Sequence, residues 1–221
     1  MRPVSLHAVL HIADKSVYAW SMTFFEDLPE PPERPRHTPV PPAWAGPPAD
    51  ELPGVVPVSA FVHSSERAAL ALKSVDVYST GCVLELVWAV RRAGQTENEW
   101  RDVLDRALTP RGPFQPGSEG LLAGVGFGDG RKAIAATTAP GPGEGVDSSS
   151  PVLIALEGGG TRGNDGSVQG ASRYWLWPLP VEGKATLYTQ WEGLGLPESS
   201  LALPVDSLPA AARSVRKFWV E

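Results

Sequence analysis

From Cys82 to Arg91 the chain alternates with a period of two: Cys82, Leu84, Leu86, Trp88 and Val90 share one face, with Glu85 and Arg91 on the other. Successive side chains of a strand point to opposite sides, so this pattern specifies a strand with one strongly apolar face. Such a strand belongs in the middle of a sheet. The rest of the chain has to supply neighbours for it and a cover for that face.

Candidate neighbours are numerous. Val55 to His63 and Arg67 to Ser79 read as strands, and the apolar register of the second slips near Ser74, as at a bulge or where a strand changes sheets. Thr80-Gly81 reads as the hairpin turn into Cys82. Leu121 to Phe127 and Arg131 to Ala136 flank Gly128-Asp129-Gly130, a tight turn in which Asp-Gly tolerates positive torsions. Val152 to Glu157, Ser172 to Trp177, Lys184 to Trp191 and a short stretch near Ser200 to Leu203 complete the C-terminal set. Pro178 and Pro180 are expected to end the strand before them, because proline offers no amide to a ladder.

Two segments switch to helical spacing. Trp100, Val103, Leu104, Ala107 and Leu108 follow it, with Thr96 and Glu99 placed as a capping box. A second helix is expected over 207–219, with Pro209 in its first turn, a stripe from Leu208 to Trp219, and Arg213, Arg216 and Lys217 near its C-terminal end. About nine strands without βαβ alternation predict a mainly β fold, an antiparallel β-sandwich of immunoglobulin-like or jelly-roll-like kind carrying these two short helices.

A Pro-rich irregular arm interrupts this scheme. Pro29 to Pro57 holds 11 prolines in 29 residues, which excludes helix and central strand because proline fixes its own torsion and donates no hydrogen bond. The expected organisation is therefore one or two strands within 1–28, the arm over 29–57, and the sandwich domain over 58–221. Trp44 is a candidate to pin the arm to the domain. Pro31-Pro32-Glu33-Arg34-Pro35 and Pro39-Val40-Pro41-Pro42 suit either a spacer or a ligand for a proline-binding partner. Residues 137 to 150 have little to bury and are expected to be mobile.

Composition narrows the function classes. Hydrophobic residues make up 42% and charged residues 20% of the 221, enough to build a core, and a net charge of -6 argues against nucleic acid, which calls for clustered Lys and Arg. No stretch approaches the length of a membrane span and the N-terminus shows no signal-like apolar run, so no membrane partner is expected and the default location is the cytoplasm. Cys82 is the single cysteine, which leaves no internal disulfide and no thiolate-rich zinc site.

Glu157-Gly158-Gly159-Gly160, the run Tyr174-Trp175-Leu176-Trp177-Pro178-Leu179-Pro180, and Trp191-Glu192-Gly193-Leu194-Gly195-Leu196-Pro197-Glu198 stand together with a terminal Ala-rich segment. With Gly126 to Gly130, this combination resembles a group of small, β-rich, uncharacterised actinobacterial proteins. The resemblance spans roughly Val55 to Glu221. It implies a shared domain and no mechanism, and here Thr161-Arg162 interrupt the glycine run.

Sites for chemistry are scarce. His7, His11, His37 and His63 all precede residue 64, and no Gly-x-Ser-x-Gly elbow nominates a nucleophile. His7 and His11 on a strand stand about 13 Å apart, too far for one metal ion. Asp129 is explained by its turn. Glu157, Asn164 and Asp165 offer oxygens around the Gly-rich loop without matching a calcium-loop spacing, and the loop opens no helix that would cradle a phosphate. No catalytic residue, metal or cofactor is assigned.

Contact material is abundant. Tyr174, Trp175, Trp177, Tyr188 and Trp191 lie on two strands expected to be neighbours, with Arg162 and Asp165 in the Gly-rich loop, and these are the candidate binding residues. Period two puts Trp175 and Trp177 on one face and Tyr174 and Leu176 on the other. The expected function is a non-enzymatic protein-interaction module in a larger assembly, with a protein partner or a second copy of the chain. The alternative is a small-ligand or glycan-binding sandwich, which needs at least one of these rings to face water. A third reading is a hydrolase that gathers Glu157, Asp165, Glu192 or Glu198 in one pocket.

Overall fold

The Cys82–Arg91 strand is central, and the sheet around it curls on itself. A computed structural model describes residues 41–108, 120–141 and 150–219. The strands expected within 1–28, three of the four histidines, the arm up to residue 40 and most of 137–150 lie outside the described residues. In chain order the strands are β1 (Glu51–Leu52), β2 (Gly54–Ser64), β3 (Ala68–Val77), β4 (Cys82–Arg91), β5 (Leu122–Phe127), β6 (Lys132–Ala136), β7 (Val152–Leu156), β8 (Thr161–Gly163), β9 (Ser167–Trp177), β10 (Ala185–Trp191), β11 (Leu196–Ala202) and β12 (Arg216–Lys217). Helix α1 spans Glu97–Leu108 and α2 spans Leu208–Ala212.

The strands hydrogen-bond in the order β11-β10-β5-β6-β7-β9-β4-β3-β2, with β8 paired onto β9. The fold is mainly β, as the sequence predicts, but it is not divided into the two stacked sheets of a sandwich. One continuous sheet closes nearly into a barrel: Ser199 Oγ of β11 stands 3.5 Å from His63 Nδ1 of β2, at the opposite ends of the order. Among the described residues all but one of the ladders are antiparallel. The exception is β6 with β7, parallel through Ala135↔Leu153 and Ala136↔Ile154.

Inward-facing side chains fill this barrel. Leu70, Leu72, Leu84, Leu86, Leu153, Leu176, Leu187 and Trp191 are fully buried in one cluster, so the interior is packed core with the alternation of small barrels. The slip near Ser74 is a bulge, a register shift between Leu72 and Ser74 against β4. It lets Leu70 and Leu72 face inward before Lys73, and Val75 and Val77 face inward after it.

Local signals act as expected at two termini. Thr96 N donates to Glu99 Oε2 at 2.8 Å and Glu99 N to Thr96 Oγ1 at 3.4 Å, closing the capping box of α1. In the β5–β6 hairpin, Asp129 Oδ1 accepts from Arg131 N at 3.0 Å while Gly130 takes a φ of 90 degrees, a torsion favouring glycine. β9 stops at Trp177, just before Pro178.

Two boundaries differ. The arm is not irregular through residue 57, because Gly54–Pro57 already pair with Ser74–Val77 in β2 and β3; Pro53 and Pro57 are accommodated at the start and at a bulge of an end strand. The expected helix over 207–219 runs only from Leu208 to Ala212. Ser214 Oγ donates to Ala211 O at 2.7 Å, and Arg216 and Lys217 then pair antiparallel with Leu52 and Glu51. Phe218 and Trp219, placed in the apolar stripe by helical spacing, are exposed, Trp219 at 78%. None of the described helices is long and apolar enough to cross a membrane.

Candidate functional site

Because the barrel interior is packed, the accessible chemistry lies on its outside. β9 illustrates the division: Tyr174 and Leu176 point into the core, whereas Trp175 and Trp177 point outward, the two faces that period two predicts. The outward rings are nevertheless covered. Trp175 joins Tyr78, Val83 and Ile154 in a second, smaller apolar cluster outside the barrel, with Trp177 packed against it.

The cover comes from the end of the Pro-rich segment. Trp175 Nε1 donates to Ala43 O at 3.2 Å, Trp44 meets Trp177 edge-to-face at 5.9 Å, and Trp44 Nε1 donates to Pro140 O at 3.3 Å. Trp44 thus pins residues 42–46 across the outer face. Trp191 lies inside the barrel, its ring 5.2 Å from Trp88 and nearly perpendicular to it. The strands that carry the five aromatic candidates are not neighbours as expected, since β5, β6 and β7 stand between β10 and β9, and of the five Tyr188 presents the most exposed ring, at 42%.

Next to the covered tryptophans the outer face is charged. Glu85 accepts from Lys73 Nζ and Ser74 Oγ, both at 3.1 Å. Burial pushes the Asp76 carboxyl above its ordinary range, and the Glu85 charge adds to that, against the pull of Arg173 and Lys73. Beyond this belt the same face becomes apolar and shallow. Register aligns Phe61, Ala71, Val87 and Ala171 in one row across β2, β3, β4 and β9, and Ala69, Ala89, Gln169 and Arg162 in the next across β3, β4, β9 and β8. Small side chains leave a groove of about 590 Å³ here. Phe61, 65% exposed, stands on one side and β8 on the other.

Arg162 is at the rim of this groove. With the Gln169 amide turned so that its oxygen faces the guanidinium, that oxygen accepts from Arg162 Nε at 3.0 Å and Nη2 at 3.3 Å, which holds the side chain over the sheet. Asp165 does not join it. It sits in the β8–β9 turn, where Asn164 Oδ1 accepts from Gly166 N and Ser167 N, and its own carbonyl accepts from Arg92 Nη1 at 3.5 Å. The Gly-rich stretch is accordingly a short strand and a turn, and Thr161-Arg162-Gly163 pair with β9.

A second concavity lies over β5, β6 and β10, with a volume of about 580 Å³. Its rows are Ile134–Gly124–Tyr188 and Lys132–Gly126–Thr186, with Lys184 at one end and Glu198 at the other. Gly126 lets the tyrosine lean close over the strand, since a Cβ there would come within 3.1 Å of the ring's Cε2. This site was hidden from a reading of motifs: Gly124 and Gly126 fall inside the expected strand Leu121 to Phe127 without marking a site, and only pairing brings Tyr188 beside them.

Of Glu157, Asp165, Glu192 and Glu198, only Glu198 lines this cleft, so the carboxylates do not gather there. Among the described residues no group of three or more His, Cys, Asp or Glu is arranged to hold a metal ion. Comparison with known proteins gives no family model, curated protein or solved structure that matches the chain.

Proposed function

We propose that this protein is a non-enzymatic interaction module of a larger assembly, and that its protein partner docks on the outer face of β2, β3, β4 and β9. The row Phe61–Ala71–Val87–Ala171 carries the reading: an exposed phenyl ring beside a floor of small apolar side chains, on a sheet whose other face is fully packed. Full burial of one such ring contributes about 1.5–3 kcal/mol, and small floor residues let a partner's side chains approach the sheet closely. Arg162, preset by Gln169, supplies one directional polar contact at the rim. The matching surface is apolar, with a carboxylate opposite Arg162.

The test uses a photo-crosslinking residue at position 87, with one at position 213 as control, in the native host. A single stoichiometric adduct at position 87 that is lost in Phe61→Glu, while the variant keeps its native circular dichroism, supports the reading. An adduct with a second copy of this chain, checked by light scattering, assigns the face to self-assembly instead. Equal labelling at both positions, or an adduct indifferent to Phe61→Glu, overturns it.

A further inference from the structure

We propose that the cleft over β5, β6 and β10 binds an acidic carbohydrate, with one sugar ring stacked against Tyr188 and its carboxylate held by Lys132 and Lys184. This site shares no residue with the groove assigned to a protein partner. Three observations carry it. The first is the half-exposed Tyr188 ring at the wall of a cleft whose floor is bare backbone at Gly124. Aromatic rings offer an apolar face with a polar edge, which suits the C–H face of a pyranose.

The second observation is charge. The chain carries a net charge of -6, yet this cleft is lined by Arg131, Lys132 and Lys184. Arg131 is already engaged, paired with Asp129 at 2.7 Å and lying 5.4 Å from the Phe127 ring. Lys132 and Lys184 form no ion pair among the described residues and remain available to an anion.

The third is their order along the strands. The Tyr188 ring leans over Gly126, and Lys132 is paired with that glycine on the neighbouring strand, a spacing of about 4.8 Å. That separation fits one ring and its exocyclic carboxylate. Glu198 stands beyond Tyr188 at the opposite end, where it repels a second anion and accepts from sugar hydroxyls. An aromatic acid has no hydroxyls for Glu198 and Thr186. The cleft is also open along its length, unlike the enclosing apolar slots that hold such rings.

The experiment titrates the isotope-labelled full chain with trigalacturonate, with maltotriose as the neutral sugar and benzoate as the aromatic acid, followed by amide chemical shifts. Trigalacturonate is expected to shift the signals of Lys132, Ile134, Lys184 and Tyr188 at about millimolar concentration, more weakly as salt rises. Lys132→Gln/Lys184→Gln is expected to weaken this by roughly tenfold or more. Tyr188→Ala abolishes it and Tyr188→Trp retains it, in spectra otherwise unchanged. Equal shifts with maltotriose, shifts with benzoate in preference, shifts outside the cleft, or indifference to the lysine pair each overturn the proposal.

Discussion

Lys217 Nζ lies 3.1 Å from Glu51 Oε1 although 166 residues separate them, and this contact fastens the last strand to the first described one. Glu51 is almost fully buried, and Ser79 satisfies the rest of its carboxylate, donating its hydroxyl at 2.7 Å and its amide at 3.0 Å. Burial alone raises the Glu51 pKa, but the Ser79 hydrogen bonds and Lys217 outweigh it and hold the carboxyl below 4.5. Hydrogen bonds to Asp50 and Glu51 raise Lys217 above 10.5.

The first prediction concerns pH. The depressed Glu51 pKa contributes stability that is fully present above 4.5 and lost as pH falls through the lower folded value. The raised Lys217 pKa contributes stability that is fully present below 10.5 and lost as pH rises through the higher folded value. Urea unfolding should therefore show its acid limb weakened in Glu51→Gln, with a loss of about 1–3 kcal/mol at neutral pH because Ser79 and Lys217 lose their charged acceptor. An unchanged acid limb would show that this pair does not fasten the terminus.

Trp44 provides the second. Trp44→Ala removes the edge-to-face contact with Trp177 and uncovers the cluster that buries Trp175. Tryptophan emission should move to the red and stability should fall by about 1–3 kcal/mol, the scale of losing a partly buried ring. Trp219→Ala, at an exposed ring, is the control and should leave stability within about 0.5 kcal/mol.

Cys82 provides the third. Burial, with a smaller push from Asp76, raises its thiol to about 12, so almost no thiolate exists near neutral pH. A thiol reagent at pH 8 should label the native protein only as fast as the sheet opens, whereas the urea-unfolded chain should take up one equivalent promptly. Rapid native labelling would place the side chain outside the core.

Much of the fold was legible where a local pattern has one physical solution. The alternation from Cys82 to Val90, the slip near Ser74, the Thr96–Glu99 box and the Gly128–Gly130 turn all depend on neighbours within a few residues, and the structure realises each. The division of Tyr174 from Trp175 follows from the same period. Illegible features were those in which two apolar patterns compete for distant partners. Helical spacing from Leu208 to Trp219 is real, yet Glu51 draws Lys217 into a strand and leaves the two terminal rings exposed.

The candidate site divides in the same way. Sequence named the aromatic residues and Arg162, but ring identity does not say what lies above a ring. Trp175 and Trp177 are covered by residues more than a hundred positions away, and Tyr188 stays open because Gly124 and Gly126 happen to pair beside it.

By itself the sequence determined the longer strands, β2, β3, β4 and β10 among them, and which residues of each share a face, because side-chain alternation and turn chemistry act over a few bonds. The tertiary structure decided that one sheet curls nearly shut instead of stacking as two, since closure depends on how β2 and β11 meet across the whole chain. It also decided which outward faces are covered and which remain open, because burial is a property of distant partners and not of the residue buried.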